Sequence, residues 1–329
     1  MIEPARYPYT PADVQYAYDT LFADVFTRPA VVNISTVWPP KILIVAGVQG
    51  SGKTYLLENA LLPSGNYNNY VRLYLPAFRE LHPHYQAMRR HGVLHAYEHT
   101  ENFVRAVCGK IFNQAFSFKY NVIMECALDD INFANVPDMV TGLGYQFDVH
   151  LIACKKEFAH LSTIKRALNS LTDQTLERFV DMTAIDASMG NAQGILTSFE
   201  NACMRASGSK LTLYERGLGV LKNRRVVCSS VCTDGFELLP QPITNNHGDV
   251  ISPAQNTVSI IRTPTLNTPC SYSRYCEIVN APIETRTERG EMLKECHLAL
   301  THTNAHSDNV HFSVFNDLYA YIAKHLYRY

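Results

Sequence analysis

Apolar and polar positions along this chain fall into blocks of two periods, and the blocks alternate. Thr10-Pro11-Ala12-Asp13 reads as a helix start, with a capping hydroxyl and proline in the first turn. Tyr16, Leu21, Phe22, Val25 and Phe26 supply the apolar stripe of that helix. Trp38-Pro39-Pro40 holds the backbone extended and leads into Ile42–Ala46, a continuous, β-branched-rich run of the kind buried on both faces of a parallel sheet. Helix-compatible residues follow over 55–62, then a turn at Pro63-Ser64-Gly65-Asn66 and a second strand at Tyr70–Leu75. Residues 76–85 read as a strand-end loop, and helical periodicity covers about Ala87 to Phe118. Asn121–Glu125 and Asp148–Ala153 read as a third and a fourth buried strand. The pattern is helical from Lys155 to about Ser207, and Arg225–Cys232 reads as a later strand. Beyond Asp234, Pro240, Pro242, Pro253, Pro264 and Pro269 break up short strand-like runs such as Val258–Ile261, before an amphipathic helix over about Asn316–Tyr327.

Strands alternating with helices predict an α/β fold: a P-loop NTPase-like, doubly wound parallel sheet with helices on both faces. A C-terminal extension of mixed short strands and a final helix is appended. The expected division is 1–40 as N-terminal helix and linker, 41–235 as P-loop kinase-like core, and 236–329 as an extension packed on the core. Composition changes this picture little. The 329 residues, 47% apolar and 18% charged, suffice for a substantial core. A formal net charge of -1 argues against a nucleic-acid surface. Nine scattered cysteines match no zinc spacing and suit reduced thiols. No apolar run reaches membrane-spanning length, and Met1–Tyr9 has no signal-peptide pattern, so the expected location is cytoplasmic. Delivery into another cell by a dedicated secretion route leaves no mark in such a sequence. His302, His306 and His311 are expected to be satisfied or solvated, sharing no helix face that suits a metal.

The chemistry concentrates at Gly47-Val48-Gln49-Gly50-Ser51-Gly52-Lys53-Thr54, which fills G-x-x-x-x-G-K-[ST] between a strand and a helix. Glycines let the main chain curl so that its N–H groups converge on a polyphosphate, and the helix start adds partial positive charge. Lys53 reaches the β- and γ-phosphates and the Thr54 hydroxyl ligates Mg²⁺. The plainer alternative, a glycine turn before an ordinary helix, does not account for strand, loop, lysine and threonine all in order. Glu125 ends a buried strand, where an acid binds Mg²⁺ through water or orients an acceptor; the alternative is a surface acid in a cap or ion pair. Arg166 and Arg178 suit neutralisation of a transferring phosphoryl group, with ordinary solvated helix charges as the alternative. Asp129 and Asp130 are carboxylates near that strand end, and such a pair more often caps the next helix. Arg79 and Asp129 are the expected contacts to an acceptor substrate.

These elements resemble the zeta-toxin family of P-loop kinases. The resemblance covers about residues 10–235. It is carried by the P-loop, by Phe78-Arg79-Glu80-Leu81-His82-Pro83, by Tyr120-Asn121-Val122-Ile123-Met124-Glu125, by Gly144-Tyr145 before the fourth strand, and by Arg166 and Arg178 at about the expected places. It implies transfer of the γ-phosphoryl group of ATP or GTP, with Mg²⁺, to a hydroxyl of a nucleotide-type small molecule: a nucleotide sugar such as UDP-N-acetylglucosamine, or a dinucleotide. It implies Lys53, Glu125, Arg166 and Arg178 as catalytic groups and an antitoxin- or chaperone-like protein partner. The departures fall on the acceptor side, where the family's base aspartate, a threonine and an arginine are replaced by Pro76, Ala127 and Asp129. The alternative reading is therefore a catalytically impaired nucleotide-binding module.

Overall fold

The computed structural model describes residues 7–27, 39–73, 76–91, 93–173, 179–222, 224–232, 237–240, 243–244, 250–252, 260–261 and 270–326. Five parallel strands form its centre: β1 (Lys41–Ala46), β2 (Val71–Arg72), β3 (Val122–Cys126), β4 (Gln146–Cys154) and β5 (Lys210–Arg216). They lie in the order β2-β3-β1-β4-β5. β6 (Arg224–Cys232), β7 (Glu237–Pro240) and β10 (Ile260–Ile261) extend the sheet antiparallel beyond β5. β8 (Ile243–Thr244) and β9 (Val250–Ser252) make a separate two-stranded ladder.

The sequence reading of β1 as an apolar run covered on both faces matches its packing. Ile42, Ile44 and Ala46 enter the larger core, and Leu43 and Val45 enter a smaller one on the opposite face. The larger core takes its other walls from α1 (Pro11–Phe22), α4 (Val93–Ser117), the short α5 (Val136–Thr141), α6 (Lys156–Asp173), α7 (Met182–Arg205) and α8 (Cys270–Asn280). The smaller core is covered by α2 (Lys53–Leu56), its π-helical continuation Leu57–Leu61, and Tyr67 and Tyr70. Thr10 and Asp13 form the capping box that starts α1, with the Thr10 N–H donating to Asp13 at 2.7 Å.

Several expectations shift. The helical stretch from Ala87 divides into α3 (Tyr85–Arg89) and α4. β5 was not anticipated. Its Leu211 and Leu213 are buried and alternate with partly exposed Thr212 and Tyr214, so the strand carries period 2 rather than a continuous apolar run. The extension is richer in helix than expected. It contains α8, α9 (Arg286–Ala305) and α10 (Phe312–Leu326), and α10 starts four residues before the predicted position. α9 escapes a reading based on large apolar residues because its buried stripe is Met292, Glu295, Cys296, Ala299 and Thr303. Within the Val258–Ile261 run, residues 258–259 lie outside the described residues, as do 74–75 of the expected second strand.

The C-terminal helices fasten on α6 and its start. Lys155 pairs with Glu288 at 2.7 Å and donates to the Pro282 carbonyl at 2.6 Å. Glu157 takes both Lys324 and His325 of α10, Lys165 pairs with Glu295, and His160 Nδ1 lies 2.6 Å from the Tyr321 hydroxyl. No helix among the described residues is long and apolar enough to cross a membrane.

Candidate functional site

The chain leaves β1 at the carboxyl edge of the sheet and turns through residues 47–52 into α2. Gly50 and Gly52 stand at φ +78° and +95°, in the left-handed region that favours glycine. A Cβ on Gly50 would come 2.1 Å from the Ala159 carbonyl oxygen, so the missing side chain lets the loop lie directly on α6. The loop is pinned along its length. Gly47 N–H donates to the Cys126 carbonyl at 3.1 Å, Ser51 N–H to the Val48 carbonyl at 3.1 Å, and Arg216 Nη1 to the Gly50 carbonyl at 2.7 Å.

Lys53 folds over this loop, its ammonium donating to the carbonyls of Gly47 at 2.9 Å and Val48 at 3.1 Å. Burial holds its pKa below the usual lysine value, opposed by the charges of Glu125 and Asp129 and reinforced by Arg166. Thr54 Oγ1 donates to Glu125 Oε2 at 3.0 Å across the gap between α2 and β3. The other Glu125 oxygen faces Arg72 Nη2 at 3.3 Å, and Arg72 also pairs with Glu58 at 2.7 Å. After β3, buried Leu128 adopts φ +62°, a strained turn for a side chain of this size. Asp129 follows it and accepts from Gln49 Nε2 at 3.1 Å.

The structure thus gathers Gly47–Thr54, Lys53, Glu125, Asp129 and Arg166 in one neighbourhood. Arg178 lies outside the described residues. Asp130 caps the turn at Ile131–Asn135, accepting from Asn132 N–H at 2.9 Å. Arg79, expected at a substrate, is instead 1% exposed, and its guanidinium donates to Thr100 Oγ1 at 2.9 Å and Glu101 Oε2 at 2.6 Å. It belongs to a chain of ion pairs, Arg79–Glu101–Arg105–Asp130, behind the loop that follows β3. The physical reason is burial: the guanidinium lies in the core with its two terminal nitrogens directed at Thr100 and Glu101.

Further cations surround the loop that the sequence reading passed over. Arg216 ends β5. Lys222 Nζ and Arg224 Cζ lie 5.0 and 5.1 Å from the centre of the Tyr55 ring. Partial burial, and then the charges of Arg216 and Arg224, hold the Lys222 pKa below its usual value. The available signal for Arg216 was the period-2 stretch Leu211–Tyr214 two residues before it. Arg72 likewise stands at the end of the short second strand. His302 and His306 do share a face, being four apart on and just past α9, and their Nε2 atoms lie 3.0 and 3.4 Å from Thr172 Oγ1. Among the described residues no group of three or more His, Cys, Asp or Glu is placed to hold a metal.

A family model described as zeta toxin matches residues 33–219. Toxin PezT of Streptococcus pneumoniae serotype 4 is 26% identical over 128 residues, 39% of this chain and 50% of PezT. The chain therefore spans about half the length of that curated relative. A structure solved in the characterisation of the PezAT chromosomal toxin–antitoxin system of Streptococcus pneumoniae has a TM-score of 0.56 at 16% identity, covering 91% of this chain and 98% of its own. A structure of AvrRxo1-ORF1:-ORF2 with ATP has a TM-score of 0.55 at 10% identity, covering 97% and 92%. At such identities the likeness is one of fold.

Proposed function

This chain belongs to the zeta toxin family, and on that footing we propose that it is a phosphotransferase moving the γ-phosphoryl group of ATP or GTP to a hydroxyl of a nucleotide-type small molecule, such as a nucleotide sugar or a dinucleotide. The observation that carries the proposal is the 3.0 Å contact between Thr54 and Glu125 beside the Lys53 ammonium. A hydroxyl, a carboxylate and a cation at the mouth of a glycine loop are the groups a triphosphate needs. Arg166, Arg216, Lys222 and Arg224 add positive charge around the same loop, which favours a polyanionic ligand over an apolar one. The AvrRxo1-ORF1:-ORF2 structure with ATP is in keeping with this reading.

Main-chain N–H groups of the Gly47–Thr54 segment cradle the phosphates, and Lys53 turns from the carbonyls of Gly47 and Val48 to the β- and γ-phosphates. The hard oxygens of Thr54 and Glu125 suit Mg²⁺ and would hold it at the mouth of the loop. That ion supplies charge neutralisation and orientation of the phosphate oxygens. The acceptor hydroxyl oxygen forms a bond to the γ-phosphorus as the bond to the bridging oxygen breaks and the nucleoside diphosphate leaves. The hydroxyl proton passes to Glu125 or Asp129, since Pro76 at the family's base position has no titratable group. Arg166 neutralises the transferring group, a role shared with Arg178. The C-terminal helices α8, α9 and α10 pack on the core, and an antitoxin- or chaperone-like protein is the expected macromolecular partner, by analogy with the PezAT system.

A second reading, nucleotide binding without turnover, is favoured by Pro76 alone. Incubation with Mg²⁺ and γ-labelled ATP or GTP over a panel of nucleotide sugars and dinucleotides separates the two. Labelled product that disappears with Lys53→Ala supports the kinase. Calorimetric binding without labelled product supports the binding module, and unchanged triphosphate affinity in folded Lys53→Ala removes the P-loop assignment.

A further inference from the structure

The residues at the start of the glycine loop are held from two sides. Gly47 N–H is taken by the Cys126 carbonyl, a bond between neighbouring strands of the core. Val48 N–H is taken by the Tyr275 hydroxyl at 3.3 Å, from a residue 227 positions later on α8. Both Val48 and Tyr275 are 0% exposed. Val48 is the pivot of the loop, because its carbonyl accepts from Ser51 N–H at 3.1 Å and from the Lys53 ammonium at 3.1 Å. The Val48 N–H held by Tyr275 shares one peptide plane with the Gly47 carbonyl, which accepts from the Lys53 ammonium at 2.9 Å, so the orientation of that peptide bears on where the lysine points. α8 is itself fixed by an independent anchor, the backbone N–H and hydroxyl of Ser271 on the buried Glu200 carboxylate.

We propose that Tyr275 is a positioning residue for triphosphate binding: its hydroxyl holds Val48 so that the loop is preorganised for the phosphates, and this makes the C-terminal helices part of the nucleotide site. The proposal rests on the reading of the loop as a triphosphate cradle. Tyr275 touches no phosphate; it acts through Val48. Removing its hydroxyl leaves a fully buried N–H without a partner, and the peptide at Val48 has to turn to find another. The phosphate-binding geometry turns with it. A preorganised loop binds more tightly because the ordering cost is met before the ligand arrives.

The test compares two variants of the full chain, with Mg²⁺ and ATP or GTP as probe. Tyr275→Phe keeps the ring and loses only the hydroxyl. Ser271→Ala weakens the other anchor of α8 and keeps the hydroxyl on Val48. Tyr275→Phe is expected to lower triphosphate affinity about tenfold and to speed amide hydrogen exchange across residues 48–53. Ser271→Ala is expected to lower the melting temperature yet leave affinity within about twofold. Unchanged affinity and exchange in Tyr275→Phe overturns the proposal. So does an equal loss of affinity in Ser271→Ala, which marks a general loosening rather than a specific latch. If the wild-type chain binds no triphosphate, the parent reading fails and takes this one with it; the wild-type titration identifies that case. Should binding exist but the Val48 amide exchange alike in wild type and Tyr275→Phe, the latch alone is refuted.

Discussion

Replacing Arg79 distinguishes a structural anchor from a substrate contact. The guanidinium is 1% exposed and donates to Thr100 and, with charge assistance, to Glu101, whose side chain is 35% exposed. The neutral bond is worth about 1 kcal/mol. The ionic one is discounted for solvent screening at Glu101 to about 1 kcal/mol. Arg79→Met keeps most of the aliphatic stem and should cost about 2 kcal/mol, whereas Arg79→Ala adds an unfilled space and another ~1–2 kcal/mol. At roughly 2 °C per kcal/mol for a chain of this size, the melting temperature falls by about 4 °C and about 7 °C respectively. Nucleotide affinity measured on the same samples stays within about twofold of wild type. The pH dependence gives a second readout. Burial pushes the Glu101 carboxyl up, but Arg79 and Arg105 outweigh it and hold it below the ordinary value. A depressed carboxylate contributes stability above its unfolded value that is lost as pH falls through the folded one, so Arg79→Met flattens this acid-side loss. A variant that melts like wild type while the acceptor KM rises would refute the anchor and restore Arg79 to the substrate.

Glu125→Gln is expected to lower phosphoryl transfer by about 10²- to 10⁴-fold, with ATP affinity close to normal; a silent Glu125→Gln with a comparable loss in Asp129→Asn moves the proton acceptor to Asp129. Gly50→Ala adds a Cβ 2.1 Å from the Ala159 carbonyl at φ +78°, so calorimetry should show both a loss of about 2 kcal/mol or more in stability and loss of triphosphate binding; wild-type values for both would mean that the loop does not rest on α6. His82 is 3% exposed and its pKa is lowered to about 4, first by burial and then by His84. Its neutral form is favoured on folding, so stability falls as pH drops from about 6.5 to 4, where the unfolded chain binds the extra proton; His82→Gln should remove that slope in denaturant titrations.

Legibility in the sequence followed how local the determinant was. The parallel strands β1, β3 and β4 and the loop 47–54 were readable because a doubly covered strand is apolar throughout and a glycine loop needs its glycines. Glu125 was readable from its place at a strand end. β5 was not, since Leu211 and Leu213 alternate with polar positions between charged ends, and with it Arg216 was lost. α9 carried a readable capping box at Thr285 and Glu288, but its buried side is built from small and polar residues. Arg79 was misplaced because a motif shows which residue is present and not which way it points. Tyr275 had no local signal: its role depends on a partner 227 residues away.

The attachment of α10 to Glu157 also sets an order in time. Glu157 meets Lys324 and His325 across 167 and 168 residues. At 5–20 residues per second, synthesis of that interval takes roughly 8 to 34 s. For that time α6, on which the glycine loop rests, lacks the Glu157 clamp, while Lys165 meets Glu295 130 residues on and the His160 ring meets Tyr321 161 residues on. A nascent chain therefore passes through a period in which the loop sequence is complete but its support is not. The support beneath the loop is assembled only once α10 has been made, long after the motif itself has emerged.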